Sequence, residues 1–145
     1  MNEYVIPGDP IPLQRARHGG GKTWDPQKQL KLNWSLALVN QHGDRPFYEG
    51  PLHVDIIFYM PKPKTSQKQR DILEDKPHFY KPDVDNLIKW VFDCSNKILF
   101  KDDSSIASVN SKKKYSNNPR TLIRIIEYAD MIRDESLLPD IYEGF

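Results

Sequence analysis

A single cysteine, Cys94, stands in the sequence, which excludes an intramolecular disulfide framework and fits a reducing compartment. With no partner thiol, and no histidine or cysteine at zinc spacing, Cys94 reads as a small core residue rather than a nucleophile or ligand. No stretch approaches the roughly 20 apolar residues that a membrane span needs. The N-terminus has no basic segment leading into an apolar run, so a cytoplasmic location is expected. There are no internal repeats. Nor does one sign of charge dominate: 21 Lys and Arg face 20 Asp and Glu, a net +1.

What charge there is lies unevenly. Residues 127–145 hold six acids (Glu127, Asp130, Asp134, Glu135, Asp140, Glu143) and one base, Arg133, a net −5 that leaves +6 on residues 1–126. An acidic tail on a basic body is most simply a solvated or docked end, since Leu137, Leu138, Ile141, Tyr142 and Phe145 are also there. The sharper reading lays it over the basic surface until a polyanion displaces it. At 145 residues and 38% hydrophobic content the chain fits one domain with a modest core, which leaves room for oligomerisation.

Residues 4–6 form a short apolar run and predict a strand, followed by a long loop rich in Pro and Gly. In "DPQKQLKLNWSLALVNQHG", Asp25 is placed to cap a helix, Pro26 to open it and Gly43 to end it. Leu30, Trp34, Ala37, Leu38 and Gln41 fall on its inner face, over about four turns. "PLHVDIIFYMP" alternates as a strand, with Leu52, Val54, Ile56 and Phe58 on one side. Residues 61–82 then read as a long connection without a sustained period. A second helix is expected from Asn86 to about Asn96, with Leu87, Trp90, Val91, Cys94 and Ile98 at helical spacing. "IASVNSKKKYS" and "RTLIRIIEY" flank "NNP" and predict a hairpin. The sum is an α+β fold: one small domain, a mixed sheet with two helices packed on a face.

The stretch "KPDVDNLIKW" crowds carboxylates at the start of that second helix. Pro82 keeps Lys81 extended, so Asp83 and Asp85 face one side if the helix begins close to Asp85. Capping by Asp85 is the plain structural explanation for that residue. It leaves Asp83, Asn86, Asp102 and Asp103 unexplained. Hard divalent cations favour such oxygen donors, and two of them can flank a scissile phosphodiester. Lys89, one turn after Asp85, is placed either to offset phosphate charge or to pair with Asp85. Asp93 is expected to partner Lys89 or to act behind the ligands. A calcium loop of the helix-loop-helix type is excluded, because its glycine position holds Ile88. "HGGGKTW" lacks the serine of a nucleotidyl-transferase loop and the spacing of a phosphate-binding loop.

These residues carry a resemblance. "KPDVDNLIKWVFDCSNKILFKDDSSI" resembles the signature of the RusA family of Holliday junction resolvases, small endonucleases of bacteria and their phages. The matching positions are Asp83, Asp85, Asn86, Leu87, Lys89, Asp93, Asp102 and Asp103. "IPGDPIPLQRAR", "TWDPQKQ" and "VDIIFYMPKP" are similar to earlier parts of phage-borne members, so the resemblance spans residues 4–128. It divides the chain into an endonuclease domain at 1–128 and an acidic tail at 129–145. It implies Asp83, Asp85 and Asp103 as catalytic metal ligands, Lys89 as the essential lysine, and Asp102 as an adjacent acid of lower rank. It further implies a homodimer that uses Mg2+, with Mn2+ as a substitute, to cut opposing strands of a four-way DNA junction. The connection at 61–82 is longer than in compact members.

Arg15, Arg17, Lys22, Lys62, Lys64, Lys68, Arg70, Lys112, Lys113 and Lys114 are expected to flank the carboxylates and to contact DNA. Each alone is more commonly a solvated surface charge. Phe79 and Tyr80 stack on a base at the branch or pack under the loop, with packing preferred. A non-catalytic junction-binding protein is the alternative of another class, and a two-metal nucleotidyl transferase the more distant one.

Overall fold

The computed structural model describes residues 2–133. Its central strand is β4 (Leu52–Pro61), whose Leu52, Val54, Ile56, Phe58 and Met60 are all buried in the main core. β1 (Glu3–Pro7), β5 (Ile106–Ser116) and β6 (Arg120–Glu127) complete a four-stranded sheet in the order β1-β6-β4-β5. β4 pairs in parallel with β5 and antiparallel with β6, so the sheet is mixed as expected.

The expected hairpin of residues 106–116 with 120–127 does not form. β4 lies between those strands, and residues 117–119 carry the chain past its end at Pro61. Burial explains this outcome: a strand with so apolar a face is stabilised by pairing along both edges. Asn-Asn-Pro is also not a two-residue turn that closes a tight hairpin.

α1 (Lys28–His42) and α3 (Val84–Ser95) contribute Trp34, Leu38, Leu87, Trp90, Val91 and Cys94 to the same core. Trp34 and Trp90 meet edge to face, with ring centroids 6.4 Å apart. α1 starts two residues later than Pro26, because the Asp25 carboxylate accepts from the Gln27 amide in a local turn and Gln27 takes the cap position. Gly43 ends it with φ at 63°, which favours glycine. Leu30, expected on the inner face, is exposed, as are Leu32, Leu36 and Val39. Burial pushes the Cys94 thiol up to about 12, in keeping with a core role.

Two segments read as loops carry structure. β2 (Arg17–Gly19) and β3 (Lys22–Trp24) form a hairpin turning on Gly20 and Gly21, at φ 57° and 76°. Within 61–82, α2 (Gln67–Leu73) opens on Ser66, whose hydroxyl accepts from the Gln69 amide. Residues 75–78 then run antiparallel along β5, through Asp75 N to Tyr115 O, Tyr115 N to Lys76 O and His78 N to Lys113 O. That course takes the chain back toward the start of β5 and delivers it to α3.

On the sheet face turned away from α1 and α3, His53 donates from Nε2 to Asp55 Oδ1 at 2.8 Å, while its Nδ1 meets Ser108 Oγ at 2.6 Å. Tyr128 and Ser108 share a further bond of 2.6 Å, and Arg124 donates to Asp55 Oδ2 at 2.6 Å. Serine, histidine and aspartate in a row suggest a hydrolytic relay, but His53 is 1% exposed and the Asp55 charge is matched by Arg124. The chain of bonds is structural. α4 (Tyr128–Arg133) follows directly, and Met131 is buried against Ile126. The rest of the expected acidic tail, residues 134–145, lies outside the described residues. Among those described, no helix is long and apolar enough to cross a membrane.

Candidate functional site

The segment before α3 is held by Lys113, whose ammonium donates to Tyr80 O at 2.6 Å and to Pro82 O at 2.8 Å. Immediately beyond, Asp83 is the N-cap of α3, and Asp85 lies in its first turn. The helix thus starts at Val84, earlier than expected, and capping no longer explains Asp85. An N-cap carboxylate ordinarily accepts from the second or third helical amide, but Asp83 makes no such bond. Its carboxylate is exposed and uncommitted, at the helix end where negative charge is favoured.

Lys89 Nζ lies 3.8 Å from Asp85 Oδ2, with the two side chains 61% and 66% exposed. An exposed pair of this spacing is worth only about 0.3–0.5 kcal/mol, too little to withhold Lys89 from a phosphate. Asp93 does not pair with Lys89. Lys31 of α1 takes it, at 2.9 Å, and also holds Asp25.

The 3-10 turn Asp103–Ser105 packs against α3. Asp102 caps it, accepting from the Ser104 amide at 3.0 Å, and hydrogen bonding from the Ser104 hydroxyl and then from that amide holds its carboxyl below the usual range. Asp103 is exposed and has no ion pair among the described residues. No three acidic or imidazole side chains among those residues gather closely enough to hold one metal ion. The donor chemistry nevertheless fits a hard divalent cation. Magnesium commonly takes one or two carboxylates and fills its other positions with water and substrate phosphate.

The basic residues fall into distinct groups. Arg15, Arg17 and Lys22 are exposed on the N-terminal strap and its hairpin, and Lys64 and Lys68 are exposed at and before α2. Arg70, also on α2, is half-buried. Lys62 must be withdrawn as a DNA contact: its side chain is fully buried, with Nζ 3.4 Å from Glu74 Oε1. Glu74 also accepts from the Asn117 amide at 2.9 Å, so Lys62 anchors the end of α2 instead. Pleating divides the lysine run. Lys112 and Lys114 pair with Ile57 and Tyr59 on the sheet face away from the helices, whereas Lys113 pairs with core-facing Phe58. Lys113 therefore supports the site from beneath and Lys112 and Lys114 lie behind it. Phe79 and Tyr80 reverse the packing expectation. They are 76% and 62% exposed and stack on each other at 4.5 Å.

Reading the chain by segment missed Gln27 and the role of Lys113. Gln27 is 4% exposed, accepts from the Gln14 amide and donates to Pro12 O, and so clamps the strap before β2. A lone glutamine in a polar run has no local signal for this. For Lys113 the signal existed: the period-two alternation of a strand assigns its side chain to the face opposite Lys112 and Lys114.

Comparison with known proteins agrees with the motif. Residues 7–126 match the family model described as endodeoxyribonuclease RusA. The chain is also 33% identical over 138 residues to the uncharacterized protein YqaN of Bacillus subtilis (strain 168), a match that covers 88% of this chain and 96% of that one. With the family match running from the end of β1 almost to the end of β6, and enclosing the strap, α3 and the 3-10 turn, the chain belongs to the RusA endodeoxyribonuclease family.

Proposed function

We propose that the protein is a divalent-metal-dependent, structure-selective DNA endonuclease that resolves four-way junctions by paired nicks across the branch point. One observation carries this reading: two exposed carboxylates at the start of α3, one of them released from capping, with Lys89 a turn away. Asp83, Asp85 and Asp103 would serve Mg2+, one or two of them on any one ion with water and substrate phosphate in its other positions, and Mn2+ would replace it, as is usual in a family that is generally dependent on divalent metal. Divalent metal bound there would supply a lowered pKa for the attacking water and positive charge for the leaving oxygen. Asp83 and Asp85 orient that water, and Lys89 lies against the charge that develops on the phosphate. Lys113 holds the carbonyls of residues 80 and 82, which limits drift of Asp83 from the reacting atoms.

The exposed Phe79 and Tyr80 pair supports branched DNA over plain duplex. An unstacked base at a branch has a free ring face to stack on an aromatic side chain, while a base inside a duplex has none. A homodimer suits such a substrate, since a two-fold protein matches a two-fold junction and delivers both cuts. The setting is the cytoplasm of a bacterial or phage-infected cell.

The test is incubation of the purified protein with an end-labelled synthetic four-way junction, with and without magnesium, beside a linear duplex of the same sequence. Paired nicks near the crossover, dependent on magnesium and absent from the duplex, are expected. Tight junction binding without cutting at any metal concentration would favour a non-catalytic binding protein, and product that depends on added nucleotide would favour a nucleotidyl transferase.

A further inference from the structure

The chain between β1 and β2 crosses the start of α3 before entering the exposed hairpin. Two devices fix its path. Leu13 N donates to Asn86 O at 3.0 Å, which ties the strap to the first turn of α3. Gln27, buried at the head of α1, accepts from Gln14 N at 2.8 Å through Oε1 and donates from Nε2 to Pro12 O at 2.9 Å. One side-chain amide thus satisfies a backbone donor and a backbone acceptor, as a neighbouring strand would.

Arg15 follows the last of these bonds. Together with Leu13, Gln14, Asn86 and Lys89 it lines a cleft of about 240 Å³. The two charged residues in that lining are both cations, and Arg15 has no ion pair among the described residues. The cleft adjoins the carboxylates, because Lys89 lines it and also stands 3.8 Å from Asp85. A guanidinium can grip a phosphate through two parallel hydrogen bonds, while an ammonium acts as a point charge.

Resting on the nuclease reading, we propose that this cleft is a backbone-phosphate subsite for the strand being cut. Arg15 and Lys89 hold a DNA phosphate there beside the carboxylates. Gln27 is the positioning residue that fixes the strap bearing Arg15, and it touches no DNA itself. A clamp 4% exposed on a strap that leads only to an exposed hairpin has its use in where it places Arg15.

The test uses the full-length protein and three variants: Arg15→Gln, Gln27→Ala and the double. Single-turnover cutting of a four-way junction is followed in magnesium, and junction affinity is measured against salt without metal. Arg15→Gln should slow cutting on the order of 10- to 100-fold, because a displaced phosphate misaligns the reaction. It should also reduce the slope of log affinity against log salt by about 1. Gln27→Ala should slow cutting in the same direction, and the double variant should be no slower than Arg15→Gln alone. Full multiplication of the two effects would show that Gln27 acts through general stability and would overturn its role. Should Gln27→Ala not fold, Gln27→Glu keeps the acceptor for Gln14, loses the donor to Pro12, and gives the same comparison. A wild-type protein that never cuts branched DNA overturns the nuclease reading, and the salt slope then decides the subsite on its own. An Arg15→Gln slope equal to wild type overturns the subsite in either case.

Discussion

Asp55 and Asp85 are the same residue on opposite sides of one sheet, and their surroundings differ in every respect that matters. Burial would raise the Asp55 carboxyl, but hydrogen bonds from His53 and Arg124 on its two oxygens hold it below the usual range. Asp85 has one weak, exposed neighbour, and Asp83 beside it has not even the capping bond its position offers. A carboxylate whose oxygens are each assigned a donor is part of the scaffold. Carboxylates that crowd an exposed helix start without donors gain little for folding, and their placement is accounted for by something that binds there.

Substitutions on the two faces should act on different properties, cutting at the front and stability at the back. The largest effect is expected at the front: Asp83→Asn or Asp85→Asn should slow junction cutting on the order of 10³-fold in single-turnover assays. Unfolding free energy should change by no more than the ~0.5 kcal/mol typical of surface substitutions. Normal cutting by these variants would remove them from the site. Lys89→Met should cost about 10²-fold in rate, measured in the same assay, as expected for losing one group that stabilises transition-state charge. At the back, Asp55→Asn should reverse the pattern. It should lose about 1–3 kcal/mol in urea unfolding, because Arg124 and His53 are left with a poorer acceptor, while cutting per folded molecule stays as in wild type.

The same contrast has a pH signature. Because the folded state holds the Asp55 carboxyl below its ordinary value, its stabilisation is complete above that value. It is lost as pH falls from about 4 through the lower folded value. The urea midpoint of the wild type should drop across that window more steeply than that of Asp55→Asn; equal slopes would mean the network contributes nothing. The smallest effect is expected of Lys112→Gln with Lys114→Gln. On the rear face these should leave the salt slope of junction binding unchanged, whereas each lysine that contacts a phosphate contributes about 1.

The sequence and the structure agree where the signal is local and periodic. β4 alternates visibly, α3 repeats its apolar residues at helical spacing, and the acid motif is contiguous. What could not be read depends on neighbours distant in the chain. Residues 106–116 and 120–127 look like a hairpin until β4 is placed between them, and nothing within either segment announces that. Lys62 looks like any surface base until Glu74 of the following helix end comes to meet it. Asp83 took the cap position expected of Asp85, which moved into the first turn, because the helix opens at Val84, two residues before Asn86. At the site, residue types were legible and commitments were not: Lys113 and Lys114 are adjacent and identical, yet one supports the loop before Asp83 while the other faces the rear.

Paramagnetic broadening by Mn2+ tests the central claim most directly, since it reports where a divalent ion binds on the intact protein without relying on cutting. Amide resonances should broaden around residues 83–89 and 102–104, stay sharp at residues 53–56, and recover in an Asp83→Asn, Asp85→Asn double variant. Broadening centred on Asp55, or an ion that binds undiminished in the double variant, would contradict the account.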